Sequence, residues 1–178
     1  MKYKDGGSTL DEFKKWESDR ESDREGLKLN LQLFASKKND KQEILDKIEA
    51  GTMNQEKFDL LKRTFDSSFE KGVRTPIETI TNNKDRFYHI VNGHEADMFS
   101  EEAIVSIIQT LVYPKAIYKT KDFLGREANS YVGKINGSTL LVITRNDIIT
   151  AYMPSENYFR KNILQRGEKI YGTNNEID

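Results

Sequence analysis

The residues best suited to proton transfer sit in one short segment. The chain has two histidines, His89 and His94, both within Tyr88-His89-Ile90-Val91-Asn92-Gly93-His94. Each imidazole has an ordinary pKa of about 6.5, so a pair can divide the roles of general acid and general base near neutral pH. On a straight helix, a five-residue spacing turns the second ring roughly 140° away from the first. A helix that stops at Asn92-Gly93 instead lets His94 swing back toward His89. The plainer arrangement is one packed and one surface histidine. A zinc centre needs three or four ligands, and Glu95 and Asp97 complete a poor set. No metal and no cofactor are therefore expected.

A second group lies later in the chain. Arg145, Thr150 and Tyr152 fall on two neighbouring predicted strands joined by Asn146-Asp147. Thr150 and Tyr152 are two positions apart and share a sheet face. Two hydroxyls and a guanidinium there would suit a phosphate oxygen. Thr and Tyr are also ordinary strand residues, which is the competing reading. Charge adds to the phosphate reading. Between Lys115 and Gly172 there are ten basic and five acidic side chains, in a chain of net charge −1. A local positive excess with interspersed aromatics, among them Tyr118, Phe123, Tyr131, Tyr152, Tyr158, Phe159 and Tyr171, is what a backbone binder of RNA carries. Most of these rings also suit a core. No glycine-rich phosphate loop, paired catalytic carboxylates or nucleophile elbow is present.

These groups need a scaffold, and the apolar spacing predicts one. The 178 residues suit one domain with extensions. The absence of cysteine excludes disulfides, thiolate metal sites and cysteine nucleophiles. No apolar run is long enough to span a bilayer, and none near the start reads as a signal peptide, so an intracellular setting is expected.

Residues 1–40 read as a flexible or extended arm. It contains the tandem Ser18-Asp19-Arg20-Glu21 and Ser22-Asp23-Arg24-Glu25, then the alternating Leu27, Leu29, Leu31 and Leu33. Residues 41–72 read as a helical hairpin. A capping pattern opens each helix, at Asp40-Lys41-Gln42-Glu43 and at Thr52-Met53-Asn54-Gln55, and Gly51 lies between them. Phe58, Leu61, Phe65 and Phe69 form an apolar stripe in the second.

Residues 74–172 read as an α+β domain. Thr75-Pro76-Ile77-Glu78 predicts a helix start. Lys84–Asn92 and Glu101–Val112 are predicted helices, the latter capped by Ser100 and closed by Pro114. Four short strands follow, at 116–118, 131–135, 140–145 and 148–152, with Asn136-Gly137 as a hairpin signal. A last helix begins after Ser155 and ends at Gly167. The expectation is therefore a four-stranded antiparallel sheet covered by helices, with a C-terminal helix and a helical N-terminal extension.

The order of these pieces resembles the phage-borne branch of the barnase/EndoU/colicin/RelE-like nuclease group over about residues 84–165. The residues that carry it are His89-Ile90 with His94, then Val112-Tyr113-Pro114-Lys115-Ala116-Ile117, Leu140-Leu141-Val142-Ile143, and Ile148-Ile149-Thr150-Ala151-Tyr152. Leu27 to Ala35 is similar to a short leader found near the start of phage head-associated proteins. The resemblance implies a small metal-independent ribonuclease, used as a toxin or effector by a phage or mobile element. It implies His89 or His94 as base on a ribose 2′-hydroxyl and the other as acid. Arg145 and Lys115 would neutralise phosphate, and Thr150 and Tyr152 would hydrogen-bond it. Arg86, Lys119 and Arg160 would hold more of the RNA.

The implied partners are RNA (tRNA among the candidates), an immunity or antitoxin protein, and a phage head or other phage or host protein met through residues 1–72. No membrane contact is implied. The implied place is the cytoplasm of a bacterial host, or the virion. The alternative is a binding protein, structural or inhibitory, that uses a nuclease-like fold without catalysis.

Overall fold

A computed structural model describes residues 40–122 and 124–172. The expected arm with its tandem repeat and leucine alternation, and Phe123, lie outside the described residues.

The helical hairpin consists of α1 (Asp40–Glu49) and α2 (Gln55–Phe69). Gly51 takes a positive φ of 73° and turns the chain out of α1. Asn54 then caps α2 by accepting from the Lys57 amide. Phe58, Leu61, Phe65 and Phe69 are buried, as their spacing predicts. Phe58 and Phe65 pack on Phe87, with ring centroids 5.4 and 5.2 Å apart. The hairpin is thus part of the same hydrophobic core as the later α+β region, with Ile44 and Phe65 in one cluster with Ile104, Leu111 and Tyr131.

The predicted helix start at Thr75 is a hairpin turn instead. It joins β1 (Val73–Arg74) to β2 (Thr79–Ile80), which pair antiparallel. Thr75 Oγ1 accepts from the amides of Ile77 and Glu78, as an N-cap hydroxyl would, but the Thr75 amide donates to the Glu78 carbonyl and closes a turn. The Glu78 side chain then reaches the main sheet, accepting from Asn129, Tyr131 and Thr144. Burial, followed by the Glu78 charge, holds the Tyr131 phenol in its protonated form.

Next come α3 (Phe87–Met98) and α4 (Glu101–Val112). Ser100 caps α4 by accepting from the Ala103 amide at 3.1 Å. The main sheet is antiparallel and contains β3 (Ala116–Lys121), β4 (Glu127–Ile135), β5 (Ser138–Arg145), β6 (Asp147–Tyr152) and β7 (Glu168–Tyr171). The strand order is β6-β5-β4-β3-β7. The α+β class therefore holds, with five strands in the main sheet rather than four. The added strand, β7, is a four-residue, partly exposed edge strand, too short to show a period-two apolar pattern.

The register defines the two faces of the sheet. Ile117, Tyr131 and Val142 face the helices. Gly133 lets α4 settle on that face, because a Cβ there would run into the Thr110 side chain. Ala116, Val132, Leu141 and Tyr152 form one row on the other face. The predicted final helix covers that second face as two pieces, a short α5 (Glu156–Tyr158) and a π-helical turn over Phe159–Leu164. Tyr158, Phe159 and Ile163 from these pieces pack against Tyr118 and Tyr152.

Candidate active site

The site forms where α3 runs along the sheet edge at β6. A carboxylate fixes that placement. Asp147 Oδ1 accepts from Thr81 Oγ1 at 2.8 Å and from the Asn83 amide at 2.9 Å, and Oδ2 accepts from the Lys84 amide at 3.1 Å. The Ile148 amide also donates to the Thr81 carbonyl. The segment leading into α3 is thereby fastened to β6 before the helix starts.

The sequence predicts a helix stop at Asn92-Gly93. The helix instead bends there and continues to Met98. His94 has non-helical dihedrals, φ −141° and ψ 40°, inside the run. The bend lays its imidazole on Tyr152, with ring centroids 5.4 Å apart and 18° between planes. Offset stacking of this kind is a favoured arrangement for two flat rings. Tyr158 also meets Tyr152, edge-on at 6.1 Å. Thr150 is two positions back on the same strand and face, paired with Ile143 across the sheet.

His89 projects from the first turn of the same helix, toward α1. Its Nδ1 lies 3.0 Å from Asp40 Oδ2. Asn92 donates to Asp40 Oδ1 at 3.0 Å and to Glu43 Oε2 at 2.6 Å. The two acids expected to cap α1 through its backbone are thus directed across to α3. A Lys47–Glu95 pair at 2.9 Å fastens the other end of α1 to the same helix.

The electrostatics follow from this geometry. Burial alone would raise the Asp40 pKa. The hydrogen bonds from His89 and Asn92 outweigh it, with help from the nearby charges of His89 and Arg86, and hold the carboxyl below its ordinary range. Burial, and then repulsion from His89, push His94 down to about 4. His94 is therefore uncharged at neutral pH. Buried polar atoms are normally paired. Among the described residues, Arg86 Nε, His89 Nε2, His94 Nε2 and Thr150 Oγ1 are buried without a hydrogen-bond partner. All four belong to α3 and its cap or to the strand beside it.

The structure therefore brings His94 and Tyr152 together at the β6 edge, with Thr150 on the same strand, while His89 and Arg86 stand earlier on the same helix and His89 turns toward α1. It does not bring Arg145 there. Arg145 pairs with Asp147 at the turn end of the β5–β6 hairpin, two residues along β5 from the Ile143–Thr150 pair and four from the Leu141–Tyr152 pair. At the rise of an antiparallel strand these separations are roughly 7 and 13 Å. The Arg145 guanidinium donates to the Glu127 carbonyl at 2.7 Å and to Asp122 Oδ2 at 3.2 Å. Lys115 precedes β3, three strand spacings from β6. Lys119 pairs with Asn129, whose side chain meets Glu78 on the helix-covered face, opposite Thr150. Arg160 lies exposed on the π-helical turn and donates to Asn157. The bonds of Arg145 and Arg160 are thus made to groups other than the histidines.

Two residues of the cluster have no sequence signal of their own. Asp40 lies 49 positions before His89 and reads as a helix cap. Asn92 reads as a helix stop. Among the described residues, no group of three or more histidine, aspartate or glutamate side chains is arranged to hold a metal ion, and no helix is long and apolar enough to cross a membrane. Comparison with family models finds no match, and comparisons with curated proteins and with solved structures find none either.

Proposed function

We propose that this chain is a metal-independent endoribonuclease of the toxin or effector kind, at home in a phage or mobile element and acting on RNA in a bacterial host. The observation that carries this reading is that α3 and β6 together hold two imidazoles and a hydroxyl, His89 Nε2, His94 Nε2 and Thr150 Oγ1, without partners, with His94 stacked on the Tyr152 ring.

The chemistry is a transfer within the RNA strand. His89 takes the proton of a ribose 2′-hydroxyl as that oxygen attacks the adjacent phosphorus. The bond from phosphorus to the 5′-oxygen breaks, and His94 gives that oxygen a proton. The products are a 2′,3′-cyclic phosphate and a free 5′-hydroxyl.

His94 must be charged to act as the acid, and the phosphodiester itself supplies the means. Depressing the pKa from 6.5 to about 4 corresponds to about 3 kcal/mol against the charged form. An anion in contact with the ring returns about 4 kcal/mol at an effective dielectric of about 20. Bound substrate therefore raises the His94 pKa, and the ring takes from solvent the proton that it later gives to the 5′-oxygen. Arg86, at the start of α3, would supply the positive charge expected of Arg145, and Thr150 would supply a hydroxyl.

The test is incubation of the purified full chain with total RNA in chelator. Cleavage is expected, with its loss in the H89A/H94A double variant. Intact RNA where a control ribonuclease toxin cuts would contradict the reading. One observation favours the second reading, a binding protein: His89 is only 3% exposed, so its ring is closed off by its neighbours. A cellular effect that survives the double substitution would select that reading.

A further inference from the structure

We propose that Asp40, contributed by the helical hairpin, is a positioning residue for His89; the inference rests on the ribonuclease reading above. Nothing in the resemblance reaches this residue, which precedes the nuclease-like stretch by more than 40 positions.

A neutral imidazole carries one proton, on Nδ1 or on Nε2, and the hydrogen bond at one nitrogen decides the state of the other. Asp40 ionises below the ordinary carboxylate range, so at neutral pH it can only accept. Its Oδ2 lies 3.0 Å from His89 Nδ1, which places the proton on Nδ1. Nε2 is then a bare lone pair, the form a general base needs, and it has no other partner. When Nε2 accepts the substrate proton, the ring becomes a cation directly beside the carboxylate.

The carboxylate is itself held in place. Asn92, one turn along α3 from His89, bonds Asp40 Oδ1 and Glu43 Oε2 and so fixes both acids of α1 against α3. Ile44 is fully buried at the same contact, and Lys47 pairs with Glu95 further along. Two polar ties and one apolar anchor thus hold α1 in register with His89. The hairpin is therefore part of the reactive unit as well as of the core.

The test uses the full chain and two readouts. Histidine side-chain 15N NMR of the native protein should show His89 protonated on Nδ1, with Nε2 bare. In Asp40→Ala the population should move to the Nε2-protonated form, which is the commoner one in water. RNA cleavage by the same variant should show kcat lower by about 100-fold with KM little changed, as expected for a misplaced base rather than lost binding. Lys47→Ala removes the tie to Glu95 without touching Asp40, Asn92 or His89, so its tautomer should stay native. That variant serves as the control for simple loosening of α1.

A native His89 with its proton on Nε2, or an Asp40→Ala variant with unchanged tautomer and undiminished kcat, overturns the proposal while the ribonuclease reading stands. A native chain that leaves RNA intact overturns that reading, and a catalytic role for Asp40 falls with it.

Discussion

His94 lies nearly flat on Tyr152, ring centroids 5.4 Å apart, because the helix carrying it bends at that residue. The contact costs His94 its solvation, and burial is the main reason its pKa falls to about 4. In the unfolded chain the same ring titrates near 6.5. Between these values the unfolded state binds the extra proton, so acid favours unfolding. The His94 contribution to stability is complete above about pH 6.5 and is lost as the pH falls toward 4. Urea unfolding of native protein and His94→Phe across pH 7 to 4 should show the native chain losing more stability, by about 3 kcal/mol at the acid end. Parallel curves would contradict the burial of this ring.

The same ring gives a ligand-linked result. An anion that favours the protonated form should raise the His94 pKa, so inorganic phosphate or a short dinucleotide should move its NMR titration midpoint upward from about 4. By linkage that ligand binds more tightly as the pH falls. A midpoint that does not move at saturating ligand would place the anion elsewhere.

Thr150 separates function from stability. It is fully buried, and its hydroxyl has no partner among the described residues. A buried unpaired hydroxyl costs roughly 1 kcal/mol or more, and valine keeps the shape while removing it. Thr150→Val should therefore be as stable as the native chain, or more stable by about 1 kcal/mol, while RNA cleavage falls. Thermal unfolding and the cleavage assay together check this. A clear loss of stability would mean that the hydroxyl is paired in solution.

Local signals in the sequence placed most of the elements. Ser100 and Pro114 bracket α4. Asn136-Gly137 turns β4 into β5 with positive φ at both positions, 49° and 81°, as a two-residue hairpin loop requires. Local signals failed where one pattern serves two structures. Thr75-Pro76-Ile77-Glu78 carries the hydroxyl and spacing of a helix cap, but the pairing of Val73 with Ile80 closes it into a hairpin. Asp40 likewise reads as a cap until α3 supplies His89 and Asn92. Such choices are made by contacts dozens of residues apart, which periodicity does not record. For the candidate site, the types and spacing of the histidines, Thr150 and Tyr152 marked them in the sequence. The ties of Arg145 to Asp122 and the Glu127 carbonyl were not legible, because a strand position fixes a residue's face but not its partners.

The two arginines give opposite expectations. Arg145 is spent on structure, bonding the Glu127 carbonyl and sharing Asp122 with Arg126, which lies 2.7 Å from the same carboxylate. Arg145→Ala leaves Asp122 paired, and the lost contacts are partly exposed, so about 1 kcal/mol of stability is at stake. Cleavage by that variant should be unchanged. Arg86 stands at the start of α3 with its Nε buried and unpartnered, close enough to Asp40 for its charge to be felt there. Arg86→Ala should weaken RNA binding and cleavage together and reduce the salt dependence of binding, since one phosphate contact is gone. Measuring KM and its salt slope for both variants decides the matter. A large cleavage defect in Arg145→Ala with native-like thermal unfolding would return the phosphate to the far end of the hairpin and separate it from the histidines.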